Sequence, residues 1–259
     1  MPGDRITQQI CSITLERTMS AIIRGYTDEG FVIVADGRST AEGGGINTES
    51  AQKIFDISKP GIPLSLALMG ADEVTGPDGT VISLHEKLLE LCHAVDITGS
   101  SNLYFYADTV LSLLRCFLIS TNSRLESEDK ILLDAYFDGF KDGVPDSVNC
   151  RIRVVGEEIQ NPESTLQDNL CWRPCVSTAA DRLGTAMFLG LGKNPPTHPM
   201  KTGKHTPAEV LEIGLAHIKA CAEPSNIALD PSCVTIGGRI HGAIVSPNGF
   251  FWIDGYPPS

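Results

Sequence analysis

The chain is short of positive charge. Twenty lysines and arginines stand against thirty-two aspartates and glutamates, a net charge of −12 over 259 residues. Such a surface repels phosphate backbones, so no nucleic-acid partner is expected. Also lacking is any apolar run near the ~18 residues of a membrane span, so no membrane partner is expected. No basic stretch followed by an apolar one stands at the N-terminus, as a secretion signal requires, and a cytoplasmic setting is the expectation. Repeats, low-complexity tracts and long linkers are absent. So are a Gly-x-Ser-x-Gly run and a P-loop: Gly43-Gly44-Gly45 has no lysine and helix after it and reads as loop. The six histidines hold no ligand spacing. His85 and His93 are eight apart on one expected helix, where zinc ligands stand three or four apart. His241, beside Arg239 in the last strands, reads as a core or edge residue. No metal or cofactor is expected.

What is present is an ordinary globular composition, 42% apolar, long enough for one large domain. Most of the eight cysteines sit inside apolar segments and read as buried free thiols. Cys171 and Cys175 are one residue too far apart for a Cys-x-x-Cys motif.

The hydrophobic pattern places a hairpin first. Met19 to Gly25 forms one strand, Tyr26 to Gly30 the turn, and the continuous apolar run Phe31 to Ala35 a strand covered on both faces. Ala41 to Ser50 reads as a loop, Ile54–Ile57 and Pro63–Met69 as strands. Helical spacing predicts one helix over Val81–His93 and a second capped by Asp108. Strands return at Lys130–Phe140 and Cys150–Gly156, helices at Ser177–Leu191 and Pro207–Ala222. A strand over Cys233–Val245, the turn Pro247-Asn248-Gly249 and a strand over Phe250–Ile253 close the chain. This order suits two stacked antiparallel sheets with a helical layer on each outer face, although patterning alone admits other α+β layouts.

Three patches carry the chemistry: Thr18 to Ile23, Val34 to Thr40 and Gln52 to Ile57. A hydroxyl is a poor nucleophile unless a base lies within reach, and a free α-amine, with a pKa of roughly 7.7 to 8.0, can be that base. Only an N-terminal residue carries both groups. A nearby lysine lowers the cost of deprotonating them, and an aspartate holds the lysine charged and in place. The hairpin sets the start of its first strand opposite the end of its second, so Thr18 and Asp36 become neighbours, with Lys53 entering from the next strand.

Asp36-Gly37-Arg38-Ser39-Thr40 resembles the Asp-x-Arg-x-Thr run of proteasome β-type subunits, members of the N-terminal nucleophile (Ntn) hydrolases. Lys53-Ile54-Phe55 resembles that family's Lys-apolar-Phe patch. The resemblance covers roughly residues 18 to 72. It implies a four-layer αββα sandwich, residues 1–17 as an extension or propeptide and 18–259 as a single domain. It further implies a threonine protease that frees Thr18 by autoprocessing, with Asp36 and Lys53 as its partners and a peptide or amide as substrate. Arg38 and Thr40 would flank the groove that holds the substrate. The position whose glycine N–H forms the oxyanion hole falls at Ala67 or Leu68. Assembly into a homo-oligomer, such as a ring, is implied as well.

The chain departs from the family pattern in places. Arg17 precedes Thr18 where self-cleaving members have glycine, which reaches the strained backbone of an acyl shift more readily. The later serine-glycine patches are missing near Ser177 and near Gly237-Gly238. The hairpin turn is read as about two residues longer than usual; aligned without that insertion, Ser20 becomes the nucleophile instead. Two alternatives therefore stand beside the threonine hydrolase. One is a non-catalytic scaffold with an uncleaved N-terminus, and the other an amidase with Cys11 as nucleophile.

Overall fold

The structure is a computed structural model describing residues 20–40, 45–76, 78–100, 102–121, 130–156, 158–166, 173–175, 206–229 and 231–258. Thr18, Arg17, Cys11 and the helix expected over 177–191 lie outside the described residues.

Two antiparallel sheets stack face to face. The first has the order β13-β1-β2-β14-β15, built from β1 (Ile22–Tyr26), β2 (Phe31–Ala35), β13 (Arg173–Cys175), β14 (His241–Ser246) and β15 (Gly249–Trp252). The second has the order β11-β10-β9-β6-β5, with β12 also on β10. Its strands are β5 (Ile54–Asp56), β6 (Leu64–Gly70), β9 (Lys130–Lys141), β10 (Val144–Val155), β11 (Glu158–Ile159) and β12 (Glu163–Leu166). Small pairs β3 (Ser39–Thr40) with β4 (Ile46–Thr48), and β7 (Glu73–Thr75) with β8 (Val81–Ser83), lie outside both sheets.

Three apolar layers hold this stack together. Ile22, Ile33, Ala35, Ala243 and Val245 meet Ile54, Ala67, Tyr136 and Phe140 between the sheets. Helix α3 (Pro207–Ala222) lays Val210, Ile213 and Ile218 on Ala21, Ile23, Val32 and Val34 behind the first sheet. Helices α1 (Leu84–Ala94) and α2 (Leu103–Ser120) cover the other face of the second sheet, with Leu88, Tyr106 and Leu114 against Leu66, Leu68 and Phe137. The result is the αββα sandwich. Strand β2 shows why its run is unbroken: Phe31, Ile33 and Ala35 face the other sheet while Val32 and Val34 face α3. Helix α2 is long and apolar enough to cross a membrane by length and composition, but its inner face is spent on the sheet.

The first hairpin is tight. Tyr26 pairs with Phe31, leaving only Thr27 to Gly30 as loop, closed by the Thr27 N–H donating to the Gly30 carbonyl at 2.8 Å. Gly30 has φ 142°, and a Cβ there would lie 2.2 Å from the Val245 carbonyl oxygen, so no other residue fits.

Several elements differ from the sequence reading. Helix α2 is capped by Asn102, whose side chain accepts from the Phe105 N–H; Asp108 sits inside the helix and accepts from Ser164. Val81 to Ser83 is strand, and α1 begins only after Ser83 caps it. The loop over 41–50 contains β4. Strand β10 starts at Val144 because Asp142-Gly143, with φ 55° and 76°, makes a two-residue turn from β9. Cys233 lies in a 3-10 turn (Pro231–Thr235), and β14 begins at His241 because Gly237 and Gly238 both take positive φ. Cys92, Cys150, Cys221 and Cys233 are buried as expected, whereas Cys116 is exposed.

Candidate functional site

The site is built where β2 ends. Asp36 is wholly buried, and its carboxylate takes four donors. Oδ1 accepts from the Ala21 N–H at 2.9 Å and from Lys53 Nζ at 2.8 Å. Oδ2 accepts from the Arg38 N–H at 3.3 Å and the Gly237 N–H at 3.1 Å. The same carboxylate thus ties the start of β1, the approach to β5 and the loop before β14. Gly237 has φ 148°, which brings its N–H to bear on Asp36.

Lys53 is equally enclosed, 4% exposed, and gives a second hydrogen bond to the Arg38 carbonyl at 2.7 Å. An ammonium removed from water to this degree persists only beside a carboxylate that faces it directly. Asp36 and Lys53, named from the sequence, are therefore together.

The remaining sequence-derived residues fall out as follows. Arg38 forks its guanidinium onto Glu49 at 3.0 and 2.9 Å and donates to the Val234 carbonyl at 2.6 Å. Thr40 is half-buried and pairs with Ile46. Ala67 and Leu68 are wholly buried inside β6, between β5 and β9, and the Leu68 N–H is committed to the Lys53 carbonyl at 2.9 Å. Ser20, at the edge of the described residues, is buried and immediately precedes the Ala21 N–H that touches Asp36.

Four further polar residues surround this centre. Ser39 Oγ donates to Asp72 Oδ2, and His85 Nε2 lies 3.5 Å from Asp72 Oδ1. Phe55 meets the His85 ring edge-on at 6.1 Å. Burial pushes the His85 pKa below the ordinary imidazole value, with Asp72 opposing and Lys53 adding to the shift. His241 is wholly buried opposite Ala35, and neither ring nitrogen has a hydrogen-bond partner among the described residues. Sequence spacing had no means of finding His85: the inserted β7–β8 hairpin carries the chain away from Asp72 and back again. His241 was read from the sequence only as a core or edge residue inside a strand over Cys233–Val245, and the core position is what the structure shows.

Thr18 stands outside the described residues, so the geometry speaks to it only through the hairpin. The loop is the four residues Thr27 to Gly30, and the register sets Ala21, with Ser20 just before it, beside Asp36.

No known protein family's sequence profile matches the chain, and no curated protein sequence matches it. The fold, in contrast, is shared with solved structures. One is an Anbu (Gly-1) mutant from Hyphomicrobium sp. strain MC1, with a TM-score of 0.55 at 13% identity, covering 93% of this chain and 87% of that one. The likeness is one of fold, the αββα sandwich of an Ntn-type architecture.

Proposed function

We propose that this protein is a proteasome-like N-terminal nucleophile hydrolase of peptide or amide bonds, its nucleophile freed by processing. The supporting observation is the enclosed Asp36–Lys53 pair at the end of β2, with the Ala21 N–H on the same carboxylate oxygen. Two of the three Lys53 N–H groups have partners among the described residues, Asp36 and the Arg38 carbonyl, so a third remains for a nucleophile. The residue next to Ala21 is Ser20, and the tight hairpin favours Ser20 over Thr18 for that role. Freed at its amino side, either residue carries a hydroxyl and its own base. The hydroxyl oxygen attacks the carbonyl carbon while the α-amine takes its proton. That proton passes to the departing amine, and water then hydrolyses the ester. Lys53 makes both deprotonations cheaper, and Asp36 keeps Lys53 charged and aimed.

Intact masses of the wild type and of the Ser20→Ala and Thr18→Ala variants test this reading. Loss of residues 1–19, abolished only by Ser20→Ala, is the expected result. Loss of residues 1–17, abolished by Thr18→Ala, would restore threonine as nucleophile.

A second reading is the non-catalytic scaffold that keeps its N-terminus and self-assembles into a homo-oligomer. It is favoured by the four donors that already satisfy Asp36 and by the Leu68 N–H closed onto Lys53. Full-length mass in all three proteins, with no acylation by a peptidyl β-lactone, is its signature. In either case the expected setting is the cytoplasm.

A further inference from the structure

Helix α2 spends its charges on its flank. Over Leu103–Ser120 the only ionised side chains are Asp108 and Arg115. Asp108 accepts from Ser164 of β12 at 2.8 Å, and Arg115 donates to the Ile159 and Gln160 carbonyls at 3.0 and 3.1 Å. Both are thus held against the chain of β11 and β12, while the inner face of the helix packs on the second sheet.

The outward face is left uncharged and largely apolar. At helical spacing it presents Phe105, Thr109, Ser112, Leu113, Cys116 and Ile119. Phe105 is 53% exposed, Leu113 42% and Ile119 50%. The neighbouring α1 instead shows water Glu86 and a Lys87–Glu90 ion pair. An apolar face of this kind, on a chain of net charge −12, marks a contact surface.

Its layout fits a second copy of this chain. Phe105 stands seven residues before Ser112 and Ile119 seven after it. A two-fold axis passing by Ser112, at right angles to the helix, therefore sets each Phe105 level with Ile119 of the other copy. The small side chains of Thr109, Ser112 and Cys116 lie at the crossing, where the helices are nearest, and the large ones lie where crossed helices diverge. The flank agrees in charge. Asp108 is four residues before the axis and Arg115 three after it, so the same operation brings opposite charges of the two copies to nearly one level. A partner of unrelated sequence gives no reason for this mirrored spacing.

We propose that the outward face of α2 docks a second copy of this chain, forming a two-fold dimer with the two α2 helices antiparallel. The dimer is independent of whether the nucleophile is freed. From Phe105 to Ile119 the stripe is about 21 Å long. A contact centred on it belongs to the small class of interfaces, and a dissociation constant of about 1 to 100 μM is expected.

Sedimentation velocity of the full chain across that range tests the proposal, with a thermal melt of each variant to confirm folding. The wild type should pass from monomer to dimer. Phe105→Asp and Ile119→Arg should each weaken association at least tenfold at an unchanged melting temperature. Mixed together, the two variants should dimerise again, because the introduced acid and base then face each other across one half of the contact. Under mild oxidation Ser112→Cys should form a disulfide between the two copies of position 112, mapped by peptide mass. The two copies of Cys116 should not link, since they stand about 12 Å apart along the helices. A wild type that stays monomeric throughout would overturn the proposal, as would an assembly that both single variants leave unchanged. A monomer that floats with phosphatidylcholine vesicles, and loses them in Phe105→Asp, would give the face to a lipid surface and overturn it too.

Discussion

At the scale of single residues, Asp36 and Lys53 are not equivalent in what their loss exposes. Asp36→Ala strands an enclosed ammonium together with the N–H groups of Ala21, Arg38 and Gly237. Breaking a buried pair in this way costs about 3 to 5 kcal/mol. Lys53→Met leaves the carboxylate with three backbone donors and should cost clearly less. Urea unfolding of the two variants checks the order, and equal costs would mean the backbone donors contribute little. His217 supplies a second residue-scale expectation. Burial pushes its pKa down to about 4, so the folded state resists protonation while the unfolded chain, near 6.5, accepts it. Its full contribution to stability is present above pH 6.5 and is lost as pH falls toward 4. At pH 5 the loss is about 2 kcal/mol relative to pH 7, and His217→Leu should flatten that slope in urea melts at the two pH values. Asp36 and Lys53 were legible in the sequence because each interrupts or opens an apolar strand. Asp72 and His85 were not, because their contact depends on how a separate hairpin returns the chain.

At the scale of elements, boundaries depended on cap and turn chemistry rather than on hydrophobic period. The period located α2, but Asp108 drew the start six residues too late. Asn102 accepts from Phe105 at 3.1 Å and satisfies a helix-end N–H, whereas Asp108 bonds Ser164 across to β12. Asn102→Ala should therefore cost about 1 kcal/mol, the usual value of an N-cap. Asp108→Ala loses a part-buried contact and leaves the helix start intact. Amide hydrogen exchange over residues 103–106 separates the two: faster exchange is expected only for Asn102→Ala. The turn Asp142-Gly143 was likewise readable in retrospect, since Asp-Gly between apolar runs is a hairpin signal. What hid it was Pro145 at the start of β10, a residue that argues against a strand interior yet here pairs with Phe140 near the turn. Gly237-Gly238 shows the opposite limit. The pair looked like part of a strand, and its positive φ values serve the approach to Asp36 instead.

At the scale of the whole molecule, the order of strands and helices suited the sandwich, and the resemblance of the three patches selected it from the other α+β layouts. What neither carried was how the sheets are fixed against each other. Arg24 of β1 crosses the inter-sheet layer to Asp138 of β9, NH1 to Oδ2 at 3.2 Å, with its guanidinium 4.5 Å above the Tyr136 ring. Ser147 of β10 donates to the other carboxylate oxygen at 2.6 Å. Burial raises the Asp138 pKa, with Arg24 and Ser147 opposing, so the carboxylate depends on those partners for its charge. The pair is directional where the surrounding isoleucines and phenylalanines are not, and it sets one sheet at a fixed offset from the other. That offset in turn places β1 beside the Asp36–Lys53 centre. Arg24→Ala should cost about 3 to 5 kcal/mol, because it leaves a buried acid without its cation. The double variant Arg24→Met with Asp138→Leu should recover most or all of that loss, since apolar side chains of similar volume often match a buried pair. If the pair fixes the stacking, the double variant will nonetheless acylate more slowly than the wild type at equal stability. Equal stability with an equal acylation rate would show that the apolar layer alone aligns the two sheets.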